Sequence, residues 1–223
     1  MENNLRPADK RGVSKARAAR WPFLVFVPVL TSVLLAVPAL NASAWRILYA
    51  EQYYKLYHEH LYHYPDDTME DIYYLEQALK ADFVNPLYAL TPIKDKVEWE
   101  RYRDLFSMHV NLKLIACYLT LGSKYDKMNA YFFNAPWKQQ NLDSLNLAAQ
   151  TYKVAYRYWD KAREWSSRAW LLRDVHLSGI SEWEDENFRI ETGDLNYQDT
   201  IDEQLARLAR VRAQFQQMDQ STY

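Results

Sequence analysis

Residues Trp21–Leu40 form a run of twenty residues without a charged side chain, and that run constrains the chain more than any other feature. At about 1.5 Å rise per residue it spans the ~30 Å hydrocarbon core of a bilayer as one helix. The preceding tail carries Arg6, Lys10, Arg11, Lys15, Arg17 and Arg20 against Glu2 and Asp9, a bias that holds such a tail in the cytoplasm. Everything beyond Leu40 is then expected on the far side of the inner membrane, and Trp21 and Trp45 bracket the run as interfacial anchors do. A second reading stays open. Ala42-Ser43-Ala44 is a small-residue triplet of the kind cleaved after a signal peptide, here after Ala44, and Pro38 precedes it. The run exceeds the usual signal core of about 7–15 residues, which favours a retained anchor.

The six basic and two acidic residues of the tail leave 21 Lys+Arg against 27 Asp+Glu in the rest, a net of −6. Nucleic-acid binding needs clustered positive charge, so that partner is not expected. One cysteine, Cys117, cannot form an internal disulfide or attach a lipid at the end of the apolar run. Its neighbours Leu114, Ile115, Ala116, Tyr118 and Leu119 read as a buried small hydrophobe, and a reactive thiol would sit exposed beside positive charge.

Only four glycines occur, against 34 aromatic residues. Scarce glycine argues against a turn-rich β domain, and aromatics at helical spacing fill the grooves between packed helices. The expected class is all-α. Tyr49, Tyr53, Leu56, Tyr57 and Leu61 mark a helix over 44–64, stopped by Pro65. Asp66-Asp67-Thr68 offers N-caps for a second helix ending near Asn85-Pro86. A long helix is predicted from Lys96 to Leu121 with Gly122 as its C-cap, then a short one over 125–134. Leu142, Leu145, Ala149, Tyr152, Tyr156 and Trp159 begin the stripe of another long helix reaching Trp170. Glu182, Glu184, Asp185 and Glu186 read as a solvated charge run. The last helix, Tyr197 to Met218, places Ile201, Leu205, Leu208, Val211, Phe215 and Met218 on one face. That stripe suits docking on the same domain or self-association.

Paired helices invite a search for repeats. Tyr118, Leu121, Gly122 and Tyr125 stand at the spacing that opens a tetratricopeptide unit, and Tyr74–Asp82 resembles a second repeat helix. Asn134 and Pro136 depart from the pattern, because proline would break the second helix early. The organisation expected is a basic cytoplasmic tail over 1–20, a transmembrane anchor or signal peptide over 21–43, an irregular tetratricopeptide-like domain over 44–177, and a polar linker with a C-terminal amphipathic helix over 178–223.

The run Asp67–Leu79, the segment Ala81–Leu90 and Asn134-Ala135-Pro136-Trp137 together resemble small membrane-anchored helical proteins of spirochaetes. Some of these belong to the periplasmic collar around the flagellar motor. The resemblance covers roughly residues 50–170. It implies a scaffold on the periplasmic side of the inner membrane, contacting collar or motor proteins.

Chemical motifs are thin. His58, His60 and His63 lie with Glu59 on the first helix, but the residue four after His58 is Tyr62, so the His-Glu-x-x-His zinc pattern fails by one position. His60 and His63 could share a face at i, i+3, yet two ligands do not complete a zinc site. No glycine-rich phosphate loop or nucleophile elbow appears, and no cofactor is implied. The expected function is therefore a non-enzymatic, protein-binding scaffold. Its candidate contacts are Trp99, Tyr102, Tyr131 and Trp137, with Leu205, Leu208 and Phe215 on the C-terminal helix. The rivals are a periplasmic ligand- or metal-binding domain built on Tyr53–Tyr64, and an envelope assembly factor.

Overall fold

In a computed structural model, residues 46–126, 135–219 and 221 are described. Among them are six α-helices and no strand: α1 Ala50–His63, α2 Thr68–Lys80, α3 Lys96–Asp126, α4 Lys138–Trp170, α5 Ser181–Thr192 and α6 Tyr197–Gln217. The apolar run 21–40 and all but the first two residues of the short helix expected over 125–134 lie outside the described residues; those two, Tyr125 and Asp126, belong to α3.

Helix α1 starts where the Gln52 side chain turns back to accept from the Leu48 and Tyr49 backbone N–H groups, 2.9 and 3.2 Å, and Pro65 lies just beyond its end. Asp67 caps α2 by accepting from Glu70 N at 3.3 Å, as the Asp66-Asp67-Thr68 run predicts. That helix stops at Lys80 and not near Asn85, because the chain past it serves α1. Asp82 O accepts from Ala50 N at 2.9 Å, and Val84 N donates to Glu51 at 3.0 Å. Two donors are thereby satisfied, one of them an orphan of the first turn of α1. A short 3-10 turn, Pro86–Tyr88, follows.

Asp95 caps α3 through the Val97 and Glu98 N–H groups, 2.8 and 2.9 Å. This helix is long and apolar enough to cross a membrane, but 67% of its most apolar stretch is buried inside the domain. Helices apolar all round are either membrane spans or core. Here α2, α4 and α5 cover it, so it is the core.

Contrary to the expected cap, α3 runs through Gly122 to Asp126. The small residue answers a different need. A Cβ at Gly122 would lie 2.5 Å from Cδ1 and 2.9 Å from Cζ of Tyr152, so the glycine lets α4 approach. Tyr118, Leu121 and Tyr125 therefore sit in the closing turns of a 31-residue helix and do not open a new one. Helix α4 returns antiparallel, pairing Tyr125 with Ser144 near the turn and Arg101 with Ala169 at the far end.

The acidic run over 182–186 also departs from expectation. It belongs to a helix whose Trp183 and Asn187, one turn apart, are buried. Gly193, at φ 84°, ends it in the left-handed conformation that glycine adopts without strain. Helix α6 lays Leu208 and Phe215, with Met218 just past its end, against Leu145, Ala148 and Tyr152 of α4. Its apolar stripe is covered within the chain.

Candidate functional site

Two polar regions stand out, one closed and one open. The closed one is a seam joining α1, α3 and α5. His109 on α3 is 1% exposed. Its Nδ1 lies 2.5 Å from Glu186 on α5, and its Nε2 lies 2.7 Å from the Tyr54 hydroxyl on α1. A carboxylate only accepts, so Nδ1 carries the proton toward Glu186. Trp183 stacks on the imidazole at 4.9 Å.

Next along the seam, Tyr102 donates to Glu51 at 3.3 Å, and Arg101 bridges Ala169 O at 3.0 Å and Glu184 at 3.3 Å. Lys113 reaches Glu182 at 3.6 Å. Burial raises the pKa of the Tyr54 and Tyr102 hydroxyls, with added push from Glu182 and Glu51 respectively. Burial lowers the pKa of His58 beside the seam, and the neighbouring His109 and Lys113 add to that. Most of these groups are matched across packed helices, although the buried Arg101 Nε has no hydrogen-bond partner. The arrangement clamps three helices together.

The open region lies where α1 hands over to α2. Six rings run in sequence across it: Tyr62 to His63 (5.1 Å between centroids), His63 to Tyr64 (6.3 Å), Tyr64 to His60 (5.3 Å), His60 to Tyr74 (5.7 Å) and Tyr74 to Tyr73 (5.6 Å). Tyr62 is 83% exposed, and Tyr64, Met69 and Tyr73 are also exposed. Leu56, Glu59, His60, His63, Tyr64 and Tyr74 line a groove of about 390 Å³ there. Carboxylates surround the rings. His60 Nδ1 bonds Asp71 at 2.8 Å and its Nε2 faces Asp67 at 3.9 Å, while a hydrogen bond to Glu70 heads the causes that raise the pKa of the Tyr74 hydroxyl. An aromatic groove with an acidic rim can take a cationic or aromatic side chain by stacking and cation–π contact.

His60 and His63 thus share the groove as their spacing suggests. No group of three or more metal-capable side chains occurs among the described residues. Cys117 is buried, and burial pushes its thiol up to about 12, the inert character its apolar neighbours imply.

The interaction residues expected from sequence divide differently. Trp137 is exposed, at 47%. Trp99 is half-buried and stacks on Tyr102 at 5.3 Å. Tyr102 is not a surface residue: it is wholly buried, held in the core by Glu51, Phe83 and Phe106. Leu208 and Phe215 are buried against α4 and Leu205 is half-buried, so their stripe is not a free self-association face. Tyr131 lies outside the described residues. The α1 half of the ring tract, His60 to Tyr64, lies within the Tyr53–Tyr64 run on which the ligand-binding rival rests, whereas Tyr73 and Tyr74 of α2, which complete it, are not among the expected site residues. An aromatic at a position that should be polar was the available signal.

No curated protein and no solved structure matches the chain. A family model, Domain of unknown function (DUF8513), matches residues 97–218, running from the first turn of α3 to the end of α6, whereas α1 and α2, with the ring tract, precede it. The match takes in more than half of the chain, and the protein belongs to the DUF8513 family.

Proposed function

We propose that the protein is a non-enzymatic scaffold, anchored in the inner membrane by Trp21–Leu40 and presenting its helical domain to protein partners in the periplasm. The observation that carries this reading is the unbroken tract of six rings at the α1–α2 end. Four of the six rings, Tyr62, His63, Tyr64 and Tyr73, are exposed beside half-buried His60 and Tyr74; exposed aromatic surface on a folded domain marks an interaction site, where tyrosine is among the enriched residues. The α3–α4 pair serves as the irregular repeat-like frame. Gly122 against Tyr152 is the small-against-large contact on which stacked helix pairs rely. The assembly implied by the resemblance of 67–90 and 134–137 is the spirochaete flagellar motor collar.

The test is in-cell crosslinking of the tagged native chain, with mass spectrometry of the captured proteins, repeated with Tyr62→Ala and Tyr64→Ala combined. Capture of motor or collar proteins that disappears in the double variant, with helical content retained, is the expected result. Capture of the chain alone, or of unrelated envelope enzymes, sinks the collar assignment. Capture that survives the double variant sinks the ring tract as the contact surface.

A further inference from the structure

The domain has two distinct ends, and its exposed apolar residues fall at both. At the α1–α2 handover end, Lys124 reaches the Asp66 carbonyl and the Thr68 hydroxyl, and Lys138 holds the α6 exit through Met218 O at 2.8 Å. The other end gathers the start of α1, the exit of α2, the start of α3 and the exit of α4. Ala50 N to Asp82 O, Arg101 to Ala169 O and Gly179 N to Thr91 Oγ1 (3.1 Å) tie these segments together.

This second end presents large apolar side chains to solvent. Leu87 is 84% and Tyr88 71% exposed on the 3-10 turn, and Leu48 and Leu171 are exposed on flanking segments. Loop residues that gain nothing from their own fold should be polar, and these are not. The turn also borders a groove of about 360 Å³ lined chiefly by Leu87, Ala89, Leu90, Pro92 and Ile93.

The length of the connection limits how far this surface can lie from the apolar run. The apolar run ends at Leu40 and the described chain starts at Arg46, six residues later. Fully extended, that connection reaches about 20 Å. Leu48 and the start of α1 are therefore held within reach of the membrane surface, where the interfacial zone adds roughly 5–7 Å per leaflet beyond the hydrocarbon core. Leucine and tyrosine side by side suit that zone, an apolar body with a hydroxyl left in the headgroups. Exposed Lys94, Lys96 and Arg173 stand at this end beside exposed Asp82, Asp95 and Asp174, so the charges balance and the apolar side chains carry the contact.

We propose that the Pro86–Tyr88 turn, with Leu48 and Leu171, is a lipid-docking surface that seats the domain on the periplasmic leaflet and leaves the ring tract facing away from it. The inference rests on the anchor reading of Trp21–Leu40. It differs from that reading in requiring contact of the folded domain with lipid.

The experiment uses the full chain in vesicles of mixed zwitterionic and anionic phospholipid. An environment-sensitive fluorophore is attached through Leu87→Cys or, at the opposite end, Met69→Cys. Cys117 is buried, so the unsubstituted chain supplies the blank. Flotation reports anchoring separately. Loss of emission at position 87 in vesicles carrying doxyl-labelled lipid, with emission kept at position 69, is the expected result. A chain that floats with position 87 still emitting overturns the docking surface and leaves the anchor. Shielding of position 87 from water without doxyl quenching overturns it in favour of a protein contact. A chain that does not float removes the anchor reading and this inference together.

Discussion

Replacing Gly122 with alanine sets two effects of opposite sign against each other. In a helix interior, glycine to alanine stabilises by about 1 kcal/mol, through lower backbone entropy in the unfolded chain. At this position the new Cβ would fall 2.5 Å from Cδ1 and 2.9 Å from Cζ of Tyr152. The ring cannot swing aside cheaply. It is 1% exposed, and its hydroxyl donates to the buried Asp126 carboxylate at 2.5 Å. Either α3 and α4 separate, at an overpacking cost of about 1–3 kcal/mol, or the ring turns and forfeits a charge-assisted bond worth about 1.5–3 kcal/mol. Subtracting the propensity gain leaves a net loss from near zero to about 2 kcal/mol, with about 1 as the central expectation. For a domain of this size that is roughly 2–4 °C in melting temperature. The assay is urea unfolding of the full chain, followed by circular dichroism, for the wild type, Gly122→Ala, Tyr152→Leu and the double variant. With the ring gone, the alanine should recover its propensity gain of about 1 kcal/mol. A Gly122→Ala chain more stable than wild type, or an alanine effect indifferent to Tyr152, would refute the close-approach argument.

Two further outcomes follow from the packing. Glu76 accepts from Tyr158 at 2.6 Å, Tyr118 at 3.3 Å and Lys80 at 3.4 Å. Burial raises its pKa, but those bonds outweigh burial and hold it below the usual 4.5. A carboxyl with a depressed folded pKa contributes stability that is present above its unfolded value and lost as pH falls through the folded one. Stability should therefore decline below about pH 4.5, and Glu76→Gln should flatten that part of the profile in urea titrations; an unchanged profile counts against the bonds. Leu208→Ala should cost about 2–5 kcal/mol by opening a cavity against α4 and leave the sedimentation behaviour of the chain unaltered. A change of oligomeric state without loss of stability would mean that the stripe packs on another chain.

How far the sequence could be read depended on whether a feature's cause lay nearby or far along the chain. The start of α2 was legible because Asp67 and Glu70 N are three residues apart. The stripes of α4 and α6 were legible because each buried face repeats within one helix. Helix α5 was not, because counting charges over 182–186 gives the picture of a solvated segment. The partners that overturn that picture, Arg101 and His109, lie 83 and 77 positions away. Gly122 misled for the same reason: a glycine after an apolar stretch looks like a cap until Tyr152, thirty residues on, is known to lie against it. The ring tract needed no distant partner. Its α1 half stands within the tyrosine- and histidine-rich run Tyr53–Tyr64, and only Tyr73 and Tyr74 of α2 had to be added to it.

The buried seam gains its meaning from the size of α1. A helix of fourteen residues packed through apolar contacts alone can slide or rotate by a residue at little cost, since dispersion is non-directional. Polar contacts fix it, because hydrogen bonds weaken steeply once misaligned. Glu51 holds Tyr102 and Val84 N, and Tyr54 holds His109, so both the start of α1 and its first full turn are keyed to α3. Glu186 and Glu184 key α5 to the same helix. Buried ion pairs add little net stability over a well-packed apolar core, and in this fold the consequence of theirs is register. Register is what the proposed scaffold requires: the ring tract begins at His60 and Tyr62, about two to three turns beyond Glu51 and Tyr54, and a slip of one residue would rotate it by roughly 100° about the helix axis.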